Sequence, residues 1–195
     1  MATIHSVGVY CASSSQVRQA FFDEAFRLGA LLASHSIEVV YGDGGLGLMG
    51  ALARGVLSEG GVITGVIPQF MVDEGWNNPE STRTHIVKTM HERKAMMERL
   101  SDAMVALPGG IGTYEELLEC LTWKQLGLHA KPVVILNQDG YYDSLLAGID
   151  RMVEDRFMHA DYKQLYTVVR SADEVLPALE NAAPWTCRTR KDAAY

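Results

Sequence analysis

The feature that most limits how this chain can fold is a series of short, uninterrupted apolar runs separated by longer stretches of helical periodicity. The runs fall at residues 7–11, 37–41, 62–67, 103–107, 133–136 and 166–169, with a further short one near 85–87. A strand covered on one face alternates apolar and polar residues, whereas one covered on both faces stays apolar throughout. Between the runs, Val17, Ala20, Phe21, Leu28, Leu31 and Leu32 recur at helical spacing before Ile37. Leu117, Leu118, Leu121 and Leu126 do the same after Thr113. Strands alternating with helices require right-handed crossovers and a parallel sheet. The expected fold is therefore α/β: a Rossmann-like, doubly wound parallel sheet of six or seven strands with helices on both faces. Its ligand should lie at the carboxyl ends of the strands, near a switch point. With 195 residues the chain fits one domain with a proper core. That domain is expected over residues 1–182, followed by a loose tail at 183–195 that holds Pro184, Arg188, Arg190 and Lys191. Residues 73–84, with Gly75, Asn77, Asn78 and Pro79, read as a long loop.

Charge and cysteine usage narrow the partners. The formal net charge is −7, which disfavours general binding to nucleic acid, although a local pocket inside an acidic protein can still be positive. Cys11, Cys120 and Cys187 are widely spaced and odd in number, which suits reduced thiols in the cytoplasm. Residues 1–8 show no secretory pattern, and no apolar segment approaches the roughly 18 residues that span a bilayer. No membrane partner is expected. His5, His35, His85, His91, His129 and His159 show no metal-ligand spacing, so no metal site is expected.

Two glycine-rich loops each follow an expected strand and precede an expected helix. In the first, Gly42, Gly44 and Gly47 fit GxGxxG, but the loop follows the second strand rather than the first. Ile67, Pro68 and Gln69 stand where the acidic ribose ligand of a dinucleotide site would be, so an ordinary NAD site is not indicated. Close packing at a tight turn and contact with a phosphate or sugar both remain open for these glycines. The second loop, Pro108-Gly109-Gly110-Ile111-Gly112-Thr113-Tyr114-Glu115-Glu116, is the more informative one. Its glycines leave backbone N–H groups unobstructed, and Thr113 adds a hydroxyl at a helix start. Together with the helix dipole these form an anion cradle. No lysine follows Gly112, so this is not a Walker A loop. Glu116 lies one helical turn, about 5.4 Å, beyond Thr113. A phosphate held at the helix start would place a sugar beside its carboxylate, where glycosidic chemistry needs one. Glu115 reads more simply as a complement to the helix dipole. Upstream, Met90-His91-Glu92-Arg93-Lys94 opens a helix just before the 103–107 strand, which gives Arg93 a route to the pocket and a fixed grip on phosphate, ribose or base.

These two motifs together resemble the LONELY GUY family, the cytokinin riboside 5′-monophosphate phosphoribohydrolases, whose members are often mislabelled lysine decarboxylases. The resemblance runs from Gly8 to about Glu180, with support from Cys11-Ala12-Ser13-Ser14, the stretch 44–50, Ile67-Pro68, residues 122–127 and Lys131-Pro132-Val133. It implies hydrolysis of the N-glycosidic bond of an N6-substituted AMP to free base and ribose 5-phosphate, with no cofactor. It implies Arg93 and Glu116 as the catalytic pair. Lys94, Gly110, Ile111, Gly112, Thr113, Tyr114 and Glu115 are implied to bind substrate together with Gly109, and Thr122 matches a further binding threonine. It also implies a homodimer in which both chains form each site. Two positions depart from the family pattern. Asp43 replaces a glycine of Tyr-Gly-Gly-Gly, either to touch ribose hydroxyls or to form a turn. Glu74, the candidate for a binding glutamate after Ile-Pro, stands one or two residues short of the family spacing. The rival functions are a broader AMP or purine-nucleotide nucleosidase and a non-catalytic nucleotide or cofactor carrier on the same fold. A pyridoxal-phosphate decarboxylase finds no Schiff-base lysine context at Lys88, Lys94, Lys124 or Lys131.

Overall fold

The computed structural model describes residues 4–186. Seven strands form one sheet: β1 (Ser6–Tyr10), β2 (Glu38–Tyr41), β3 (Ile63–Pro68), β4 (Arg83–Val87), β5 (Ala103–Ala106), β6 (Val133–Leu136) and β7 (Thr167–Val169). All neighbours pair in parallel, in the order β4-β3-β2-β1-β5-β6-β7. The chain winds outward from β1 to β4, returns to β5 on the other side of β1, and winds outward again. The β1–β5 border is thus the switch point where crevices open in such sheets.

The helices are α1 (Gln19–Ser34), α2 (Gly47–Ser58), α3 (Gln69–Asp73), α4 (Met90–Leu100), α5 (Ile111–Gln125), α6 (Asp143–Glu154) and α7 (Val175–Glu180). The continuous apolar runs find their explanation in two separate cores. Alternate strand residues such as Val9, Val39, Tyr41 and Val105 meet Leu28, Leu32, Leu52 and Leu179 on one face. Tyr10, Val40, Val66 and Ala106 meet Met97, Leu117, Leu121 and Tyr142 on the other. Both faces are therefore covered. The outer strand β4 exposes Arg83, Thr84, His85 and Ile86, and a charged residue on such an edge discourages pairing with a second sheet.

Three sequence expectations are refined. The sheet has seven strands, and β4 is longer than the 85–87 run suggested. Because it begins at Arg83, the loop expected over 73–84 is shorter, and the loop also carries an antiparallel bridge between Asn77 and Gly44. Helix α3 follows Pro68 directly, a five-residue turn too short to show periodicity. The tail expected at 183–195 lies largely outside the described residues, as do Cys187, Arg188, Arg190 and Lys191. Within the described part, Trp185 donates from Nε1 to the Lys124 carbonyl at 2.9 Å.

Helices α1 and α2 approach through glycines. A Cβ at Gly29 would stand 2.3 Å from the Leu52 carbonyl oxygen, and one at Gly55 would stand 2.1 Å from that of Phe26. Both obstacles are backbone, so neither can swing aside. This close contact seats α2 and, with it, the first glycine loop at its start. Alanine is the better helix former by about 1 kcal/mol, but overpacking costs about 1–3 kcal/mol or more. Gly55→Ala is expected to lower stability by about 1–2 kcal/mol despite its propensity, read as a lower urea midpoint at unchanged m-value.

Candidate active site

A cavity of about 310 Å³ opens at the switch point. Its walls come from the end of β1 and the following turn (Val9, Tyr10, Cys11, Ala12, Ser13), from Gly42 after β2, and from the start of α5 (Gly110, Ile111, Gly112, Thr113, Glu116). Arg93, Met97, Met49 and Met71 complete it. A second chamber of about 730 Å³ shares Ser13, Gly42, Met49 and Met71 with the first. Leu46, Trp76 and Pro79 give it an apolar wall.

Arg93 enters the cavity from α4. Thr89 caps that helix, its hydroxyl accepting from the Glu92 N–H at 3.1 Å, and Glu92 accepts from the Lys88 N–H in return. The guanidinium is 6% exposed. Its Nε donates to the Val66 carbonyl at 3.1 Å and its Nη2 to the Gly42 carbonyl at 2.9 Å. Nη1 faces the Met71 and Met90 sulfurs at 3.9 and 3.8 Å. A Cβ at Gly42 would fall 1.8 Å from Nη2, so the glycine lets the guanidinium lie directly against this backbone. Among the described residues no carboxylate forms an ion pair with Arg93. A buried cation is normally paired, so one that faces a cavity without a counter-ion suits an anionic or strongly polar ligand.

The opposite wall is the start of α5. Gly110 caps the helix without a side chain, so the first N–H groups stay available at its positive end. Two tyrosines fix the loop. Tyr141 Oη donates to the Gly109 carbonyl at 2.5 Å, and Tyr142 Oη donates to that of Leu107 at 2.6 Å. A Cβ at Gly109 would meet Thr113 Oγ1 at 2.1 Å, so this glycine lets the threonine fold back over the loop. Glu116, one turn on, shares the cavity with Arg93. Burial pushes its carboxyl up to about 7, against the pull of the Arg93 cation and with a push from Glu115. A carboxyl that titrates near neutrality can exchange a proton with substrate or water.

The structure gathers Arg93, Gly110, Ile111, Gly112, Thr113 and Glu116 around one cavity and sends the other expected residues elsewhere. Lys94 is buried and ion-paired to Glu115 and, at 2.9 Å, to Glu119. Burial alone would depress Lys94, but its bonds to these two carboxylates carry it above its ordinary value. Tyr114 packs against the Tyr142 ring at 5.4 Å. Thr122 is exposed and donates to the Leu118 carbonyl at 2.7 Å. Glu74 is exposed at the end of α3. Glu115, Thr122, Ile111, Leu118 and Leu126 form one stripe along the outer face of α5, with the three apolar residues 91%, 40% and 63% exposed. Asp43 lines neither chamber: its carboxyl is buried against Gly65 and Ser81. In the first glycine loop, Gly47 and Gly50 serve packing. A Cβ on either would strike the backbone at 2.4 or 2.2 Å, and the Ala12 carbonyl already receives the Leu48 and Met49 N–H groups. Met71 escaped sequence reasoning, and Ser13 and Met49 entered it only within family-like stretches, because apolar and small residues carry no chemical signal until strand order brings them together. Lys124, also buried, donates to the Leu165 carbonyl at 2.8 Å. Among the described residues no group of three or more His, Cys, Asp or Glu is arranged to hold a metal ion.

The raised Glu116 carboxyl links activity to stability. The folded chain favours its neutral form, so the unfolded chain ionises first as pH rises from about 4.5, and stability is lost until pH reaches about 7. Glu116→Gln keeps the neutral shape. The substitution is expected to stabilise the chain by about 3 kcal/mol at pH 8 and by almost nothing at pH 4, measured by urea unfolding at the two pH values.

Residues 49–179 match the family model described as "Possible lysine decarboxylase". The chain is 48% identical over 172 residues to "Probable cytokinin riboside 5'-monophosphate phosphoribohydrolase LOGL1" of Oryza sativa subsp. japonica, covering 88% of this chain and 77% of the relative. It is 43% identical over 176 residues to "Cytokinin riboside 5'-monophosphate phosphoribohydrolase LOG1" of Arabidopsis thaliana, covering 90% and 83%. Among solved structures, the molybdenum cofactor carrier protein of Chlamydomonas reinhardtii shares the fold, with a TM-score of 0.69 and 20% identity over 91% of this chain and 96% of that one. Two motifs on two helices that meet at one cavity, and relatives matched along most of their length, lead to one assignment: the chain belongs to the LONELY GUY family of cytokinin riboside 5′-monophosphate phosphoribohydrolases.

Proposed function

We propose that this chain hydrolyses the N-glycosidic bond of an N6-substituted AMP, a cytokinin riboside 5′-monophosphate, to free base and ribose 5-phosphate. The observation that carries this reading is the pairing of Arg93 and Glu116 across one cavity at the start of α5. The N–H groups of Gly110, Ile111, Gly112 and Thr113 receive the 5′-phosphate at the helix end. As the bond between C1′ and the base nitrogen breaks, positive charge grows on the ribose. Glu116 stabilises that charge and takes a proton from the attacking water, whose oxygen bonds to C1′. The electron pair of the broken bond leaves with the base, which gains a proton. Arg93 holds the substrate and favours the departing base. The second chamber, with Leu46, Trp76 and Pro79, gives an apolar N6 substituent a place that plain AMP would leave empty.

The stripe on α5 supports a homodimer. Ile111, Leu118 and Leu126 are too exposed to rest easily in water, and a second copy would cover them. Glu115 and Thr122 on the same stripe would then reach the partner's cavity, as would Lys94 through Glu115. The buried, unpaired thiols of Cys11 and Cys120 suit a cytoplasmic setting. Among the described residues no helix is long and apolar enough to cross a membrane.

The purified protein incubated with AMP and with N6-isopentenyl-AMP is expected to release base mainly from the latter, followed by chromatography. Comparable release from both would make it a broader nucleosidase, and binding without release would make it a carrier. Glu116→Ala and Arg93→Ala are each expected to lower kcat by about 10²-fold or more, with smaller effects on KM. Because the ionised carboxyl is the working form, kcat/KM should fall as pH drops through about 7, the value to which burial raises Glu116.

A further inference from the structure

Asp43 breaks two local rules at once. Its backbone has φ +60°, a left-handed conformation that glycine adopts freely and other residues adopt at a cost. Its carboxyl is 0% exposed, and Oδ2 has no hydrogen-bond partner. A glycine in its place would avoid both penalties. Neighbouring sequence nevertheless makes room for it: β3 carries Gly65, where a Cβ would fall 1.9 Å from Asp43 Oδ1. Strain and buried polarity of this kind persist where the surroundings over-determine them, most often beside a functional site.

Asp43 meets the segment 74–82 through its carboxyl and through its backbone. Ser81 Oγ donates to Asp43 Oδ1 at 2.5 Å, and the Asn78 N–H donates to the Asp43 carbonyl at 2.7 Å. Tyr41 closes the network, its hydroxyl lying 2.8 Å from Ser81 Oγ and accepting from Asn78 Nδ2 at 2.9 Å. Asn78 Oδ1 in turn accepts from the Glu80 N–H. One wall of the second chamber is this segment, through Trp76 and Pro79; the facing wall is the first glycine loop, through Leu46 and Met49. The Asn77–Gly44 bridge joins the two walls through the backbone, and Asp43 adds a side-chain link between them.

We propose that Asp43 is a positioning residue for specificity: its carboxyl latches Ser81, which Tyr41 ties to Asn78, and so sets the width of the apolar chamber and the fit of the N6 substituent. The inference rests on the function proposed above. The carboxyl touches no part of the cavity where the glycosidic bond would break, so the latch acts on the choice of substrate rather than on the chemistry.

The test compares Asp43→Gly, Asp43→Asn, Ser81→Ala and the double variant Asp43→Gly/Ser81→Ala with the full chain. Glycine suits the left-handed backbone, so the first variant folds. It is expected to raise KM for N6-isopentenyl-AMP about fivefold to tenfold relative to KM for AMP, the scale of losing one ordinary hydrogen bond. Its kcat should stay within about twofold. Ser81→Ala should do the same, and the double variant should add nothing further, as for two ends of one contact. Asp43→Asn keeps an acceptor for Ser81 and should restore most of the ratio. Amide exchange at Asn78, Glu80 and Ser81 should quicken in the first two single variants and not in Asp43→Asn. An unaltered KM ratio in Asp43→Gly, or additive effects in the double variant, would overturn the proposal. Should the wild-type chain release no base from either nucleotide, the functional reading fails by itself. Amide exchange and the relative affinities for the two nucleotides, taken by calorimetry, then decide the latch, and unchanged values would overturn it.

Discussion

A guanidinium withdrawn from water and given no counter-ion is the constraint around which the site is arranged. Moving such a cation into the interior costs several kcal/mol even after relaxation. Two carbonyls, Gly42 just past β2 and Val66 within β3, offset part of that cost by accepting from Arg93. Those carbonyls are in place only because the sheet sets β2 beside β3 and because Gly42 leaves room for Nη2. The thioethers of Met71 and Met90 fill the remaining space without competing as strong acceptors. The residue thus held lines the cavity.

Across that cavity the same physics runs in the other direction. Burial raises Glu116, and the Arg93 cation restrains the rise. Both groups therefore sit in the folded chain at a cost in desolvation. Lys94 shows the contrast. It is adjacent to Arg93 in sequence and as deeply buried, yet Glu115 and Glu119 neutralise it, and it serves to tie α4 to α5. One cation is spent on holding two helices together and the other is kept for the cavity. A helix turns about 100° per residue, so neighbours in sequence face different partners.

Much of the fold was legible because burial on both faces leaves an unmistakable mark: the strands run apolar without alternation. The edge strand β4 and the turn α3 were harder to read, since an exposed strand keeps polar residues and a single helical turn has no period. Glu116, Arg93 and the Gly110–Thr113 stretch, which the structure brings to one cavity, were singled out in the sequence by residue type and spacing. Cys11, Ser13, Met49 and Met71 were not, because walls are made of whatever fits. Asp43 stood out as an acidic residue among glycines, but its direction was not readable: the carboxyl turns away from the cavity toward Ser81, which lies 38 residues later in the chain.

The amino-acid sequence by itself determined the parallel α/β class, the glycine loop that starts α5, the one-turn spacing from Thr113 to Glu116 and the family to which the chain belongs. These depend on local pattern and on residues close together in the chain. Tertiary structure alone decided that Arg93 and Glu116, from different helices, share one cavity while Lys94 is occupied by carboxylates. It alone placed residues 74–82 opposite the first glycine loop and left Ile111, Leu118 and Leu126 in solvent. Strand order and helix rotation set those relations, and both follow from how the whole core packs rather than from any single segment.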